Sequence, residues 1–369
     1  MKLAYIVIPV ALLLVGAGCS EKAQPAAAGQ NMVLKQFSEP QVQQVQQAPS
    51  QPQQESIELV TSDQSDASAS LLNFDGSVAK KIVLPKDLIK RIANNIKVYG
   101  SKVYYLSGSE MITSVGEIDA VTGESKVLNF TQSKNTNKGN VLSAIIDWSV
   151  SADNSVIAWL DTQGNISVAN TDGSNKKVYT TKIGNVINNQ IQVVGEYVYF
   201  VDKNKSQVES VRISDGTITV LATDVSLNPV FAVSSQGRYL AYTAGSDKIQ
   251  LGVVDLLNNI HSVIPEVGEP TGTIAFTPDE TKVLSSPNVN LGDTTTEVYE
   301  YDLTKNKIIA TLKDTELVDV ISNSQILAST VITKGSDFQS KGPYVMNLDG
   351  TSKIMVNGGY YRGFLSAQW

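Results

Sequence analysis

Seven times along the chain an apolar segment returns in the same register. It reads ELVTSD from Glu58, KVYYLS from Lys102, SVIAWL from Ser155, EYVYFV from Glu196, RYLAYT from Arg238, KVLSSP from Lys282 and QILAST from Gln325, at spacings of 44, 53, 41, 42, 44 and 43 residues. The long interval holds a polar insertion around Lys134 to Asn140. A repeat in the forties made of strand-like segments specifies propeller blades rather than helical repeats. Upstream of each core segment lies a shorter apolar run, such as AIIDW near Ile145, IQVVG near Ile191 and TIAFT near Phe276. Downstream come two further β-rich runs joined by Asp75-Gly76, Thr122-Gly123, Asp172-Gly173, Asp215-Gly216, Asn258-Asn259, Lys305-Asn306 or Asp349-Gly350. Such pairs tolerate the positive φ that a two-residue hairpin needs. Each repeat therefore predicts four antiparallel strands.

The chain opens on second-to-fourth-strand material (Ile57 to Leu84) and ends on a first-strand segment, GFLSAQW, from Gly363 to Trp369. Exposed strand edges favour closure of such a ring. The expected fold is all-β: a seven-bladed β-propeller of four-stranded antiparallel blades, closed by pairing of the C-terminal strand with the first blade.

The segments FTPDETKVL from Phe276, VSSQGRYLAY from Val233 and WSVSADNSVIAW from Trp148 carry a small-residue turn followed by an apolar strand. In this the repeat resembles the TolB-like β-propeller family, over about residues 57 to 369. The resemblance implies the propeller fold. It does not carry over TolB's partners, because TolB has an N-terminal α/β domain and no lipid anchor. One blade, GEIDAVTGESKVL from Gly116, also resembles quinoprotein-type repeats, without their Trp.

The N-terminus reads as an address. Lys2 precedes an apolar stretch from Leu3 to Val15 and then Gly16-Ala17-Gly18-Cys19-Ser20. A basic start, a short apolar core and small residues before a cleavage point describe a secretory signal. Pro9 and the short length argue against a membrane span. Cys19 is the sole cysteine and sits where a bacterial lipobox requires one. The resemblance implies a signal peptide over 1–18, cleavage before Cys19, acylation (palmitate among the acyl chains) and a stable membrane anchor. Residues 19–56 are then the acylated cysteine and a Gln/Pro-rich linker, with the propeller over 57–369. The linker cannot bury a core. As a random coil it spans about 35 Å. The expected location is extracytoplasmic, on the outer membrane facing the periplasm if the cell is Gram-negative.

Charge and residue chemistry narrow the function. The net charge is −7, and removal of residues 1–18 takes away Lys2 alone, giving −8. Acidity with dispersed lysines argues against nucleic acid as a partner. His261 is the only histidine and falls on an outer strand, NIHSVI, where a solvated rim residue is expected. One His and one lipid-committed Cys leave no Cys/His metal site and no Cys-His pair, and no G-x-S-x-G elbow is present. No catalytic residue, metal or cofactor is expected. Trp148, Trp159, Tyr199, Phe200 and Phe276 are expected to pack between blades.

The long insertions, Thr131 to Asn140, Ser286 to Thr296 and Thr333 to Pro343, all belong to connections on one face. Loops gathered on one face of a rigid scaffold are where binding resides. That face is expected to carry Lys86, Lys90, Arg91, Lys134, Lys138, Lys334, Lys341, Tyr360, Tyr361 and Arg362. A basic, tyrosine-bearing patch on an acidic protein fits an envelope protein or an anionic polymer. The expectation is a lipid-anchored, non-catalytic interaction module. The competing class is a ligand-binding or enzymatic propeller using the tunnel mouth. Its candidates are Asn95, Asp147, Gln190, Thr273 and Asp319, and convergence of two or more carboxylates there would favour it.

Overall fold

A computed structural model of the chain describes residues 58–63, 68–72, 78–83, 96–99, 101–107, 114–128, 145–181, 183, 190–226, 229–264, 272–286, 296–334, 337–356 and 360–365. Cys19, the linker, Asn95, Lys86, Lys90, Arg91, Lys134 and Lys138 lie outside them.

The described chain is all strand and turn. Strands β1 (Glu58–Asp63), β2 (Ser68–Leu72) and β3 (Val78–Val83) come first. Six blades then follow, each built from one continuous stretch. They are β4 (Ile96–Tyr99), β5 (Lys102–Ser107), β6 (Ser114–Asp119) and β7 (Ser125–Leu128); then β8 (Ile145–Val150), β9 (Val156–Asp161), β10 (Ile166–Asn170) and β11 (Lys177–Tyr179). The third holds β12 (Ile191–Val194), β13 (Tyr197–Asp202), β14 (Gln207–Arg212) and β15 (Ile218–Thr223); the fourth β16 (Phe231–Val233), β17 (Tyr239–Ala244), β18 (Gln250–Asp255) and β19 (Ile260–Ile264). The fifth holds β20 (Ile274–Phe276), β21 (Lys282–Ser285), β22 (Glu297–Asp302) and β23 (Lys307–Lys313); the sixth β24 (Thr315–Val320), β25 (Gln325–Lys334), β26 (Asp337–Asn347) and β27 (Ile354–Met355). Strand β28 (Tyr360–Leu365) ends the described chain.

The expected seven-bladed, C-terminally closed ring is corrected here. Blades continuous in sequence and packed through described side chains number six. The remaining strands form a separate composite sheet in the order β28-β1-β2-β3. Its first strand is Tyr360–Leu365 rather than the expected Gly363–Trp369. The β1–β28 ladder is broken between Val60 and Thr61, which face Gly363 and Tyr361 and leave Arg362 without a register partner. The described hydrogen bonds include none between this sheet and the sixth blade. The physical reason for the shift is local: Tyr360 and Tyr361 are strong strand formers, so the strand starts with them.

The core lies between blades. Second strands are buried on both faces, as β9 and β13 show. Phe200 and Val198 pack with Ala158, Leu160 and Ile166 of the blade before. Tyr199 and Val201 pack the other way, against Leu240, Tyr242 and Val254. Trp148 and Trp159 join Tyr104, Leu106 and Val115, and Phe276 is half-buried against Val253 and Val283. Fully burying one such side chain contributes roughly 1.5–3 kcal/mol. Burial also pushes the Tyr199 phenol up to about 12, with Tyr197 adding to the shift. The turns have the expected backbone, with positive φ at Gly123, Gly173, Gly216, Asn259, Asn306 and Gly350.

One packing device recurs in two blades. Tyr105 faces Gly116 across β5–β6, and Tyr242 faces Gly252 across β17–β18. Each ring lies over its glycine so closely that a Cβ on Gly252 would meet ring atoms at 2.5 Å. The glycine is there to receive the ring. We expect Gly252→Ala to destabilise the protein by about 1–3 kcal/mol through overpacking, read from the urea midpoint. A midpoint equal to the parent's would mean that the Tyr242 ring moves aside freely.

Candidate functional site

The first strand of each blade is a sheet edge, and its free N–H and C=O groups need partners. Side chains of neighbouring blades supply them. Asp147 on β8 accepts the Ile191 N–H of β12 through Oδ2 at 2.9 Å. Its other oxygen takes Lys97 Nζ of β4, also at 2.9 Å, so one carboxylate joins three blades. Ser149 Oγ accepts the Val193 N–H at 3.1 Å. From the next blade, Gln190 Oε1 accepts the Phe231 N–H at 3.3 Å. Gln192 accepts the Val233 N–H at 2.9 Å and returns a bond from Nε2 to the Val233 carbonyl at 3.2 Å. Ser286 Oγ accepts the Leu317 N–H at 3.3 Å.

Lys97 is the cation of this ring. Its ammonium also donates to the Trp148 carbonyl and stands 5.1 Å from the centre of the Trp148 ring. Burial alone would lower the Lys97 pKa, but Asp147 and Tyr99 outweigh it, and the group is held protonated above its ordinary range. The candidate tunnel residues thus meet different fates. Asp147 and Gln190 are spent between blades. Thr273 accepts the Ser286 N–H through its backbone carbonyl, and Asp319 accepts the Val320 N–H at 2.8 Å. The carboxylates do not gather on adjacent strands. Asp147 is on β8, whereas Asp319 and the half-buried Glu316, whose pKa burial raises, are on β24. Among the described residues no group of three or more His, Cys, Asp or Glu could hold a metal.

The two faces of the ring differ. The face of first-to-second-strand turns is tied from blade to blade. Glu280 accepts the Ser235 hydroxyl at 3.2 Å and the Gln236 N–H at 2.5 Å. Asn323 Oδ1 accepts the Asp279 N–H at 2.9 Å, and Asn154 Oδ1 the Tyr104 hydroxyl at 3.0 Å. On the opposite face the expected loop from Thr333 to Pro343 is instead a long hairpin, with β25 and β26 paired as far as Lys334 and Asp337. Lys334 and Lys341 are therefore strand residues, and so are Tyr360, Tyr361 and Arg362 of β28. His261 is an exposed rim residue on β19, 3.3 Å from Asn259 Oδ1.

Most described aspartates cap turns. Asp119 accepts the Thr122 and Val121 N–H groups at 2.8 and 2.9 Å, Asp255 those of Leu257 and Asn258, and Asp302 those of Thr304 and Lys305. Sequence reading missed the polar members of the first strands, Lys97, Ser149 and Gln192. The signal was present: each is a polar residue within a largely apolar strand, one repeat away from its partner.

Among solved structures, the chain is similar to a functionally unknown protein from Desulfotomaculum acetoxidans at 11% identity and a TM-score of 0.51, covering 82% of this chain and 98% of that one. It is also similar to TolB from Acinetobacter baumannii at 16% identity and a TM-score of 0.46, covering 70% of this chain and 63%, less than two thirds, of that one. A chain of a nidogen/laminin complex matches at 14% identity and a TM-score of 0.44, covering 69% of this chain and 93% of that one. At these identities the likeness is one of fold. No protein-family model matches the chain, and no curated protein sequence does.

Two outcomes follow from this geometry. Gln192→Leu removes both bonds to Val233 and leaves a first-strand N–H unpaired, at an expected cost of about 1–3 kcal/mol in chemical denaturation. Acid should also weaken the fold. Thr122 holds Asp119 below its ordinary carboxylate range, Ser151 holds Asp153, Ser174 Asp172, Thr217 Asp215, Lys305 Asp302 and Thr351 Asp349. Depressed folded-state values mean that this stabilisation is complete above the ordinary value of 3.8 and is lost as pH falls through the lower folded values. Melting temperature should drop progressively below about pH 4; a flat profile from pH 5 to 2 would contradict these caps.

Proposed function

We propose that the chain is a lipid-anchored, extracytoplasmic β-propeller of the cell envelope that works as a non-catalytic protein-interaction module. The observation that supports this reading is the use made of the tunnel-side polar groups. Asp147, Ser149, Gln190 and Gln192, the groups a tunnel-mouth ligand would address, are committed to holding blades together. A rigid ring whose interior polar chemistry is structural offers a partner its outer surface. The sequence features that support this location are the Lys2-to-Cys19 leader and the Gln/Pro-rich stretch after it. A tether of that composition would raise the local concentration of a binding face near the membrane.

The binding face of this reading is that of the long insertions, where the β25–β26 hairpin carries Lys334 and Lys341. The opposite face, locked turn against turn, is the control. A photo-crosslinking residue at Lys341 in living cells should yield one discrete protein adduct. The same residue at Val121, 73% exposed in the turn after β6, should yield none. Adducts from neither position would refute the interaction module. Separately, Cys19→Ala should abolish labelled-palmitate incorporation and release the protein from the membrane fraction, and unchanged labelling would refute the anchor.

A further inference from the structure

The outermost strand of each sheet is an open edge, a template for pairing with another chain unless it is guarded. The described outer strands are guarded in two ways. Lysines stand on β3 (Lys80, Lys81), β7 (Lys126), β11 (Lys177) and β23 (Lys307, Lys313), and Lys353 immediately precedes the two-residue β27. Breaks in register interrupt β3, β15 and β23. On β15 they leave Leu221 unmatched between Val220 and Ala222, and on β23 Ile309 between Ile308 and Ala310.

Strand β19 has neither guard. Its five residues, Ile260-His261-Ser262-Val263-Ile264, include no Lys, Arg, Asp or Glu. Its ladder to β18 runs unbroken from Asp255↔Ile260 to Leu251↔Ile264. Ile260 and Val263 are 58% and 52% exposed, although β-branched side chains on a rim strand are ready-made for a further strand.

We propose that β19 is a self-association edge, and that its occupant is β19 of a second copy, paired antiparallel about a two-fold axis at Ser262. The sequence is its own complement in that register. Ile260 faces Ile264 of the partner copy, His261 faces Val263, and the small Ser262 faces itself, with no like-charged pair. Two four-stranded blades become one eight-stranded sheet. A five-residue ladder buries far less than the 1,200–2,000 Å² typical of stable complexes. The association is therefore weak in dilute solution and favoured where copies share a surface. This inference stands apart from the proposed function, which concerns a different face and a different partner.

Disulfide trapping in the full chain tests it, with Cys19→Ser leaving a single introduced thiol and the protein concentrated enough for a weak edge contact to be populated without a shared surface. In the proposed register the two copies of residue 262 face one another at about 4.5–5.5 Å between Cα atoms, within disulfide reach. Two copies of residue 263 are then offset to about 8 Å, beyond it. Ser262→Cys should form a covalent dimer in a glutathione redox buffer roughly tenfold faster than Val263→Cys. Exposure alone predicts the opposite order, because Ser262 is the more buried of the two. Adding Val263→Lys to Ser262→Cys places a cation on the edge and should slow trapping to a similar degree. Circular dichroism melting confirms that each variant is folded. Equal rates at the two positions, or no dimer from Ser262→Cys, would overturn the proposal.

Discussion

The fold depends on how its innermost edges are closed. A propeller blade presents an unpaired strand toward the axis, and that strand cannot bond a neighbouring sheet because the blades fan apart. Here the gap is spanned by side chains one repeat away: Asp147 to Ile191, Ser149 to Val193, Gln190 to Phe231, Gln192 to Val233. Each removes a buried or half-buried N–H from the cost of desolvation, which exceeds the net worth of an ordinary hydrogen bond. Apolar packing between second strands holds the blades together without direction. These bonds fix their rotation and spacing.

The same economy governs the charges. The chain is acidic, yet its described carboxylates do not pool. They terminate strands and cap turns, as Asp119, Asp255 and Asp302 do, or sit buried against lysines. Lys102 meets Glu117 at 2.5 Å, Lys282 meets Glu300 at 2.7 Å, and Lys205 lies 2.9 Å from both Asp202 and Glu209. Turns with fixed φ and strand edges with fixed partners are what a repeat can encode again and again. Among the described residues, much of the acidity is thus used in turns and ion pairs.

The repeat was legible because period, burial and turn chemistry agree in every blade. Apolar second strands, Gly or Asn at positive φ and, in several blades, a lysine-bearing outer strand point to the same four-stranded unit. What was not legible is where the repeat is broken. Strand β28 begins at Tyr360 because local strand propensity outruns the repeat register, and the β25–β26 hairpin continues beyond the blade because Thr330 to Lys334 can pair with Asp337 to Lys341. A polar, lysine-bearing segment between two strands reads as a loop, although it can equally extend them. The inter-blade side chains were hidden for another reason. Ser149 and Gln192 look like interruptions of apolar runs, and their meaning appears only when the strand 41 to 44 residues later is brought beside them.

Inner and outer edges of the sheets thus meet the same physical problem with opposite solutions. At the axis, each unpaired backbone group is satisfied by a side chain of the adjacent blade, which spends polarity and gains rigidity. At the rim the backbone is left to solvent, and other chains are kept off by lysines and by unmatched residues that twist the edge. These lysines lie outside the apolar core, and two of them, Lys80 and Lys177, also donate to backbone carbonyls of the following blade. An undefended rim strand such as β19 changes what the protein can meet. The ring holds its shape through its inner edges, and the outer edge it leaves open at β19 is the one available to a second copy in the association proposed above.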